Sequence, residues 1–227
     1  MKIGIIASTG GSVFSTSFQL LKQCGFHTQF CVVTDRECGI EKFCIENDIP
    51  CRRIDYRDCS TFSHEACRWF LRESCDFVIL TYTRKVGKEL YEHIGTLNIH
   101  PSLLPAFQGM GAVRKAFHAG VRFLGASGHV VIEEFDQGAV INQVITPLPW
   151  NIDEQKMNKM SFLQKVHIFT SLIEMIELKK IANMDGKPVF DLSEMELSPT
   201  ANPSLVNNRL RQEFQKLCNK EGMITVS

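Results

Sequence analysis

The sequence predicts an α/β fold: a doubly wound, mostly parallel sheet with an antiparallel hairpin at one edge and a C-terminal helical extension. Three observations predict it. Short apolar runs at 2–7, 30–34 and 77–80 suit strands buried on both faces. Segments of helical period lie between them, so strand and helix alternate. From residue 127 the pattern changes to alternation on either side of a loop, which suits an antiparallel pair.

The first run, Lys2–Ala7, is bounded by Ser8-Thr9-Gly10-Gly11-Ser12. The glycines permit a tight turn, and Ser12 is placed to cap a helix running to about Cys24. A strand, a Gly/Ser turn and a helix N-terminus form an anion cradle. The same residues also serve as a plain strand-to-helix connection, and the motif is not G-x-G-x-x-G. Phe30–Thr34 reads as a second strand, Ile40–Asn47 as a helix and Pro50–Ile54 as a short third strand. In 61–74 the apolar residues Phe62, Ala66, Trp69 and Phe70 recur with helical period, and Phe77–Leu80 is a fourth strand. Ligands of such sheets bind beyond the carboxyl ends of the strands. Ser8–Ser12, Thr81–Val86 and Asn98–His100 all lie at such ends, so the fold brings them together.

Further along, Glu89–Ile94 reads as a short helix, and Ala112–Ala119 as another closed by Gly120. Ser127–Ile132 and Val140–Ile145 form the hairpin, with Phe135-Asp136-Gln137-Gly138 in its loop. Residues 153–183 carry apolar side chains at 157, 160, 163, 166, 169, 173 and 176, one long amphipathic helix. A Gly-Lys-Pro turn, a short strand at Val189–Leu192, a polar linker and a helix near 204–220 follow. The expected organisation is a catalytic domain over 1–183 and an extension over 184–227 packed on it.

Composition bounds the function. Lysine plus arginine equals aspartate plus glutamate at 25 each, so no basic excess draws the chain to nucleic acid. No apolar run reaches the roughly 18 residues of a membrane helix. The nine cysteines include no C-x-x-C pair, and the N-terminal run turns polar by Ser8, too early for a secretory signal. They read as reduced, mostly buried thiols of a cytoplasmic protein, with no metal site.

The chemistry gathers at 97–105, Leu97-Asn98-Ile99-His100-Pro101-Ser102-Leu103-Leu104-Pro105. Asn98 and His100 are two apart, hence on one face of an extended segment, and Pro101 ends the pairing. An amide donor beside an imidazole suits carbonyl addition, where an oxyanion must be stabilised and a proton moved. Turn chemistry, with both side chains bonding local backbone, accounts for the same two residues.

Asn98-x-His100-Pro101-Ser102-Leu103-Leu104-Pro105 followed by Phe135-Asp136-Gln137-Gly138 resembles the folate-dependent formyltransferases, whose members nearest in length are the phosphoribosylglycinamide formyltransferases. The likeness covers roughly residues 1–180. It implies a formyltransferase-like Rossmann variant that moves a formyl group from 10-formyltetrahydrofolate to a primary amine of a small metabolite. The implied catalytic residues are Asn98, His100 and Asp136. His129, with Ser127 on the neighbouring strand, is placed to support them and reads equally as a satisfied core histidine. Asp136 would orient His100 and keep it protonated, raising its pKa. The implied folate pocket holds Arg84, Lys85, Val86, Ile132, Phe135 and Asp136, and the implied amine-substrate turn is Gly10, Gly11, Ser12 and Val13. The expected partners are small molecules alone, with no nucleic acid and no membrane, and the chain is a monomer or homodimer.

The chain departs from the purine branch at four places. Val13 replaces an asparagine. Two histidines of loop 105–113 are absent, where Gln108-Gly109-Met110-Gly111 stands. Leu163 and Val166 occupy positions of a lysine and a glutamate. These departures predict poor use of the purine substrate and leave two other readings open: a different amine, such as an amino sugar nucleotide, or hydrolysis, as in the formyltetrahydrofolate deformylases.

Overall fold

Strands that are apolar on both faces are buried only if helices cover both, and the chain folds so that they do. The computed structural model describes residues 1–8 and 10–221. In order, these form β1 (Lys2–Ala7), α1 (Ser12–Gln23), β2 (Gln29–Thr34), α2 (Gly39–Glu46), β3 (Cys51–Arg53), α3 (Cys59–Arg72) and β4 (Phe77–Thr81). Then come α4 (Lys88–Tyr91), β5 (Gly95–His100), α5 (Ala112–His118), β6 (Phe123–Val130), β7 (Val140–Pro147) and α6 (Glu154–Glu177). The chain continues through β8 (Ile181–Met184), β9 (Lys187–Phe190), β10 (Ala201–Asn202) and α7 (Asn208–Lys220).

One sheet runs β10-β7-β6-β5-β4-β1-β2-β3. β3, β2, β1, β4 and β5 are parallel, whereas β6, β7 and β10 each pair antiparallel to their neighbour. The two faces carry different cores. Ile3, Ile5, Val32, Ile79, Leu97 and Ile99 pack against Phe14 of α1 and Ile168, Phe169 and Leu172 of α6. Ile6, Val33, Val78 and Leu80 pack against Phe62, Ala66 and Phe70 of α3. Each fully buried side chain of this kind contributes about 1.5–3 kcal/mol. A Cβ on Gly4 would lie 2.6 Å from the Phe70 ring, so the absence of a side chain there lets α3 close on the sheet. Asn98 and His100 fall on the α3 side, because Leu80 pairs with Asn98 across β4 and β5.

The structure corrects several expectations. The long helix ends at Glu177, and Lys179 turns the chain at φ 59°. Residues 181–184 are therefore a strand paired with β9, because the apolar period has stopped at Ile176. Asp185 and Gly186 make the two-residue turn with φ of 49° and 81°, the Asp-Gly geometry that matches strand twist. Position 184 thus lies inside a hairpin. α1 is capped by Gly11 in the left-handed region, φ 60°, with no side-chain bond, and Ser12 is its first helical residue. β10, only two residues long, has no apolar pattern to announce it and exists because it pairs with β7. The last helix starts at Asn208, where the Asn207 side chain accepts from Leu210 N–H. Ahead of it, buried Glu174 of α6 accepts from the backbone N–H of Val206 and Asn207, tying the arm to α6.

Cys24, Cys31, Cys44, Cys67, Cys75 and Cys218 are buried, and all nine cysteines are free thiols. No helix among the described residues is long and apolar enough to cross a membrane.

Candidate active site

β5 and β6 place four polar side chains on one face at the sheet mouth. Their register pairs Asn98 with His129 and His100 with Ser127. The loop after β6 returns Asp136 over them, with Asp136 at φ 54°, a left-handed value that Asp tolerates better than most residues. Asp136 Oδ2 lies 3.3 Å from His100 Nδ1, and its Oδ1 lies 3.5 Å from both His129 Nε2 and Asn98 Nδ2. Asn98 Nδ2 is 3.0 Å from His129 Nε2, while His129 Nδ1 donates to the Val130 carbonyl at 2.9 Å. The three residues expected to be catalytic thus converge, and His129 joins them directly.

Sequence reasoning missed what the loop at 105–112 does. The His100 Nε2–H donates to the Phe107 carbonyl at 2.9 Å. Gly109 N–H donates to Asp136 Oδ2 at 2.7 Å, and Gln108 Nε2 donates to the Asp136 carbonyl at 3.3 Å. The segment that departs from the purine branch is therefore the clamp on the Asp–His pair. Its signal was the pair of glycines, and Gly109 takes φ 76°. Ser127 supports the next turn: its hydroxyl accepts from Leu104 N–H at 3.0 Å and donates to the Ser102 carbonyl at 2.7 Å.

Burial lowers the His100 pKa, and the Phe107 carbonyl and the Asp136 carboxylate oppose only part of that shift. This reverses the expectation of a raised value, because the imidazole is nearly inaccessible to water (5% exposed). For Asp136 burial pushes upward, but the His129 side chain, the Gly109 N–H and the His100 ring outweigh it, so the carboxyl pKa is lowered.

A cleft beside this network is lined by Leu80, Tyr82, Arg84, Asn98, Val131 and Asp136, with Lys85, Val86, Ile132 and Phe135 among the remaining walls. Ile132 and Phe135 are large apolar side chains left exposed at its mouth, 39% and 49%. Such exposure fits the wall of a planar ligand. The Lys85 ammonium sits 5.9 Å from the Phe135 ring. Arg84 lies 3.3 Å from Asp35 and 4.6 Å from the Tyr56 ring, which leaves it at the rim. Val86 is held in the α3-side core. At the β1–α1 turn, Gly10 and Ser12 are exposed and Gly11 is buried. Val13 packs into the α1-side core, so only its backbone is on offer at the turn.

Residues 1–172 match the family model described as formyl transferase. A phosphoribosylglycinamide formyltransferase of the chloroplast from Vigna unguiculata is 30% identical over 207 residues, 85% of this chain and 66% of that protein. A mitochondrial formyltetrahydrofolate deformylase from Arabidopsis thaliana is 36% identical over 98 residues, 42% of this chain and 28% of that protein. The chain therefore spans just under two thirds of the first of these relatives and less than a third of the second. The crystal structure of phosphoribosylglycinamide formyltransferase from Bacillus halodurans superimposes with a TM-score of 0.70 at 26% identity, covering 76% of this chain and 93% of that one. A match over most of its length, on the elements that carry the Asn98–His100–Asp136 network, makes this chain a member of the formyl transferase family.

Proposed function

We propose that this protein transfers a formyl group from 10-formyltetrahydrofolate to the primary amine of a small phosphorylated metabolite, of the phosphoribosylglycinamide type. The observation that carries the reading is the connected set Asn98, His129, Asp136 and His100 beside an apolar-walled cleft. The pterin lies in that cleft against Ile132 and Phe135, and the amine approaches from the β1–α1 turn. Asn98 has two amide hydrogens. One is held by His129 at 3.0 Å, and the other faces Asp136 Oδ1 at 3.5 Å, a contact long enough to be exchanged for an oxyanion. With Nε2–H spent on Phe107, His100 Nδ1 is the nitrogen that gains and loses a proton, and it faces Asp136. The amine proton is delivered to this Asp–His pair through water. No metal is required for these steps.

Two positions that argued against a phosphorylated acceptor do not face the mouth. Val166 packs in the α1-side core, and Leu163 borders a cavity under the C-terminal arm. Lys165 takes their place. It precedes Phe169 by one turn, and the Phe169 ring meets Phe14 of α1 at 5.9 Å. α1 and α6 both run back from the carboxyl ends of the strands, so Lys165 stands level with the Gly11–Val13 turn. Half-buried, it has no hydrogen bond or ion pair among the described residues, and burial lowers its pKa. An unpaired, desolvated ammonium beside helix amides suits a phosphate. This revises the expectation of poor activity with the purine substrate.

The test is a formyl-transfer assay with 10-formyltetrahydrofolate against a panel of amines that includes phosphoribosylglycinamide, with a no-amine blank. Transfer that requires a phosphorylated amine is expected. Formate release at the same rate without amine would instead establish a deformylase.

A further inference from the structure

The loop that clamps Asp136 and His100 has to be held in turn. Residues 101–111 form turns between β5 and α5. Phe107, Gly109 and Gly111 take φ of 55°, 76° and 72°, so three left-handed residues fall within five, and a phenylalanine is uncommon there. The Phe107 ring packs against a small core of Ala116, Leu124, Leu148, Met157 and Met160. From Gln108 the chain turns outward, and Met110 is 74% exposed. Yet the Phe107 carbonyl and the Gly109 N–H, on either side of Gln108, are the backbone groups bonded to His100 and Asp136.

α5 begins one residue past this loop. Side chains on a helix lean toward its N-terminus, so a first-turn residue covers the segment before the helix. Lys115 is such a residue. Its N–H donates to the Gly111 carbonyl, and its Nζ donates to the Gln108 carbonyl at 3.0 Å. Ala112 and Ala116 are buried on the same helix, so the lysine works from a fixed base. The Gln108 carbonyl and the Gly109 N–H belong to one planar peptide unit and point in opposite directions. Lys115 therefore holds one end of that unit while Asp136 Oδ2 accepts from the other at 2.7 Å. The lysine is also felt at the reacting pair. Burial is the main cause of the low His100 pKa, the Phe107 carbonyl and Asp136 oppose it, and His129 and Lys115 add to it.

We propose that Lys115 is a positioning residue of this site: by holding the Gln108 carbonyl it fixes the Gln108–Gly109 peptide plane and keeps the Gly109 N–H on Asp136. Without it the unit rotates about its glycine, Asp136 loses its shortest bond, and the carboxylate is less well aimed at His100 Nδ1. The effect on the reaction rests on Asp136 and His100 taking the amine proton, as proposed above; the clamp itself does not.

Lys115→Met keeps the stem and removes the donor, whereas Lys115→Arg keeps a donor. Lys115 is exposed, so both variants should melt like the wild type. Hydrogen exchange of the Gly109 amide, followed by NMR on the full chain, reads the clamp with no substrate present. It should be about tenfold faster in Lys115→Met and within about twofold of wild type in Lys115→Arg. In formyl transfer, Lys115→Met should lower kcat about fivefold with KM for both substrates nearly unchanged, and Lys115→Arg should restore it. In Asp136→Ala, which has no carboxylate to clamp, adding Lys115→Met should lower the residual kcat by less than about twofold. Unchanged Gly109 exchange in Lys115→Met, an equal loss of kcat in Lys115→Arg, or full additivity in Asp136→Ala would overturn the proposal. A chain that transfers formyl to no amine would overturn the proposed function instead, and the Gly109 exchange rates would still decide the clamp.

Discussion

His100 and His167 are both buried, and burial depresses both pKa values. There the likeness stops. His100 has an acceptor at each nitrogen, the Phe107 carbonyl and the Asp136 carboxylate, and belongs to a network that reaches Asn98 and His129. His167 Nδ1 is buried with no hydrogen-bond partner among the described residues. The difference teaches that burial alone does not make a histidine catalytic. A proton must also have somewhere to go, and the Asp136 carboxylate beside His100 provides that path. The C-terminal face has the desolvation without the relay.

Breaking the network is the largest test of this comparison. Asn98→Ala, His100→Ala and Asp136→Ala should each lower kcat at least a hundredfold, since one oxyanion donor is worth about 2.7–4 kcal/mol of barrier. The thermal midpoint should stay close to wild type, and a folded variant with near-normal kcat would remove that residue from the mechanism. Lys165→Met tests the acceptor side. Losing a charge-assisted contact of about 1.5–3 kcal/mol should raise KM for a phosphorylated amine by about 10- to 150-fold with little change in kcat. A matching fall in kcat with KM unchanged would place Lys165 elsewhere.

The third test separates the two histidines by pH. His167 titrates near 4 when folded but near its ordinary value of about 6.5 when unfolded. Between those values the unfolded chain binds the extra proton, so stability is complete above pH 6.5 and falls as the pH drops toward 4. The loss at pH 5 should be roughly 2 kcal/mol. Urea melts of His167→Phe at pH 7 and pH 5 should show that part of the pH dependence gone, and an unchanged slope would show that His167 is not the titrating group. The smallest effect belongs to Ser127→Ala. It leaves the buried Leu104 N–H without its acceptor and should cost about 1–2 kcal/mol of stability, with kcat lowered only a few-fold. A hundredfold loss of activity would mean that Ser127 touches the reacting groups.

Much of the fold could be read directly because its causes are local. β1, β2 and β4 are runs apolar on both faces, and α1 and α3 show one apolar stripe. Residues 181–183 read as helix because Ile181-Ala182-Asn183 continues a helical composition, and only the Asp185-Gly186 turn contradicts it. By position Val13 belongs to the substrate turn, yet its side chain is a core residue.

Residue type and a spacing of two on a strand settle that Asn98 and His100 share a face, whereas their chemistry and the link to Asp136 came from the resemblance to the formyltransferases. The direction in which the His100 pKa moves is decided only by tertiary structure. Asp136 alone argued for a raised pKa, but the depth of burial and the Phe107 carbonyl come from a loop whose path no local pattern dictates. The same holds for Leu163 and Lys165. Which of two residues on one helix faces the mouth depends on the packing of Phe169 against Phe14, and on a C-terminal arm that lies over the other side. Local sequence sets what a side chain can do, whereas desolvation and facing are sums over neighbours distant in the chain.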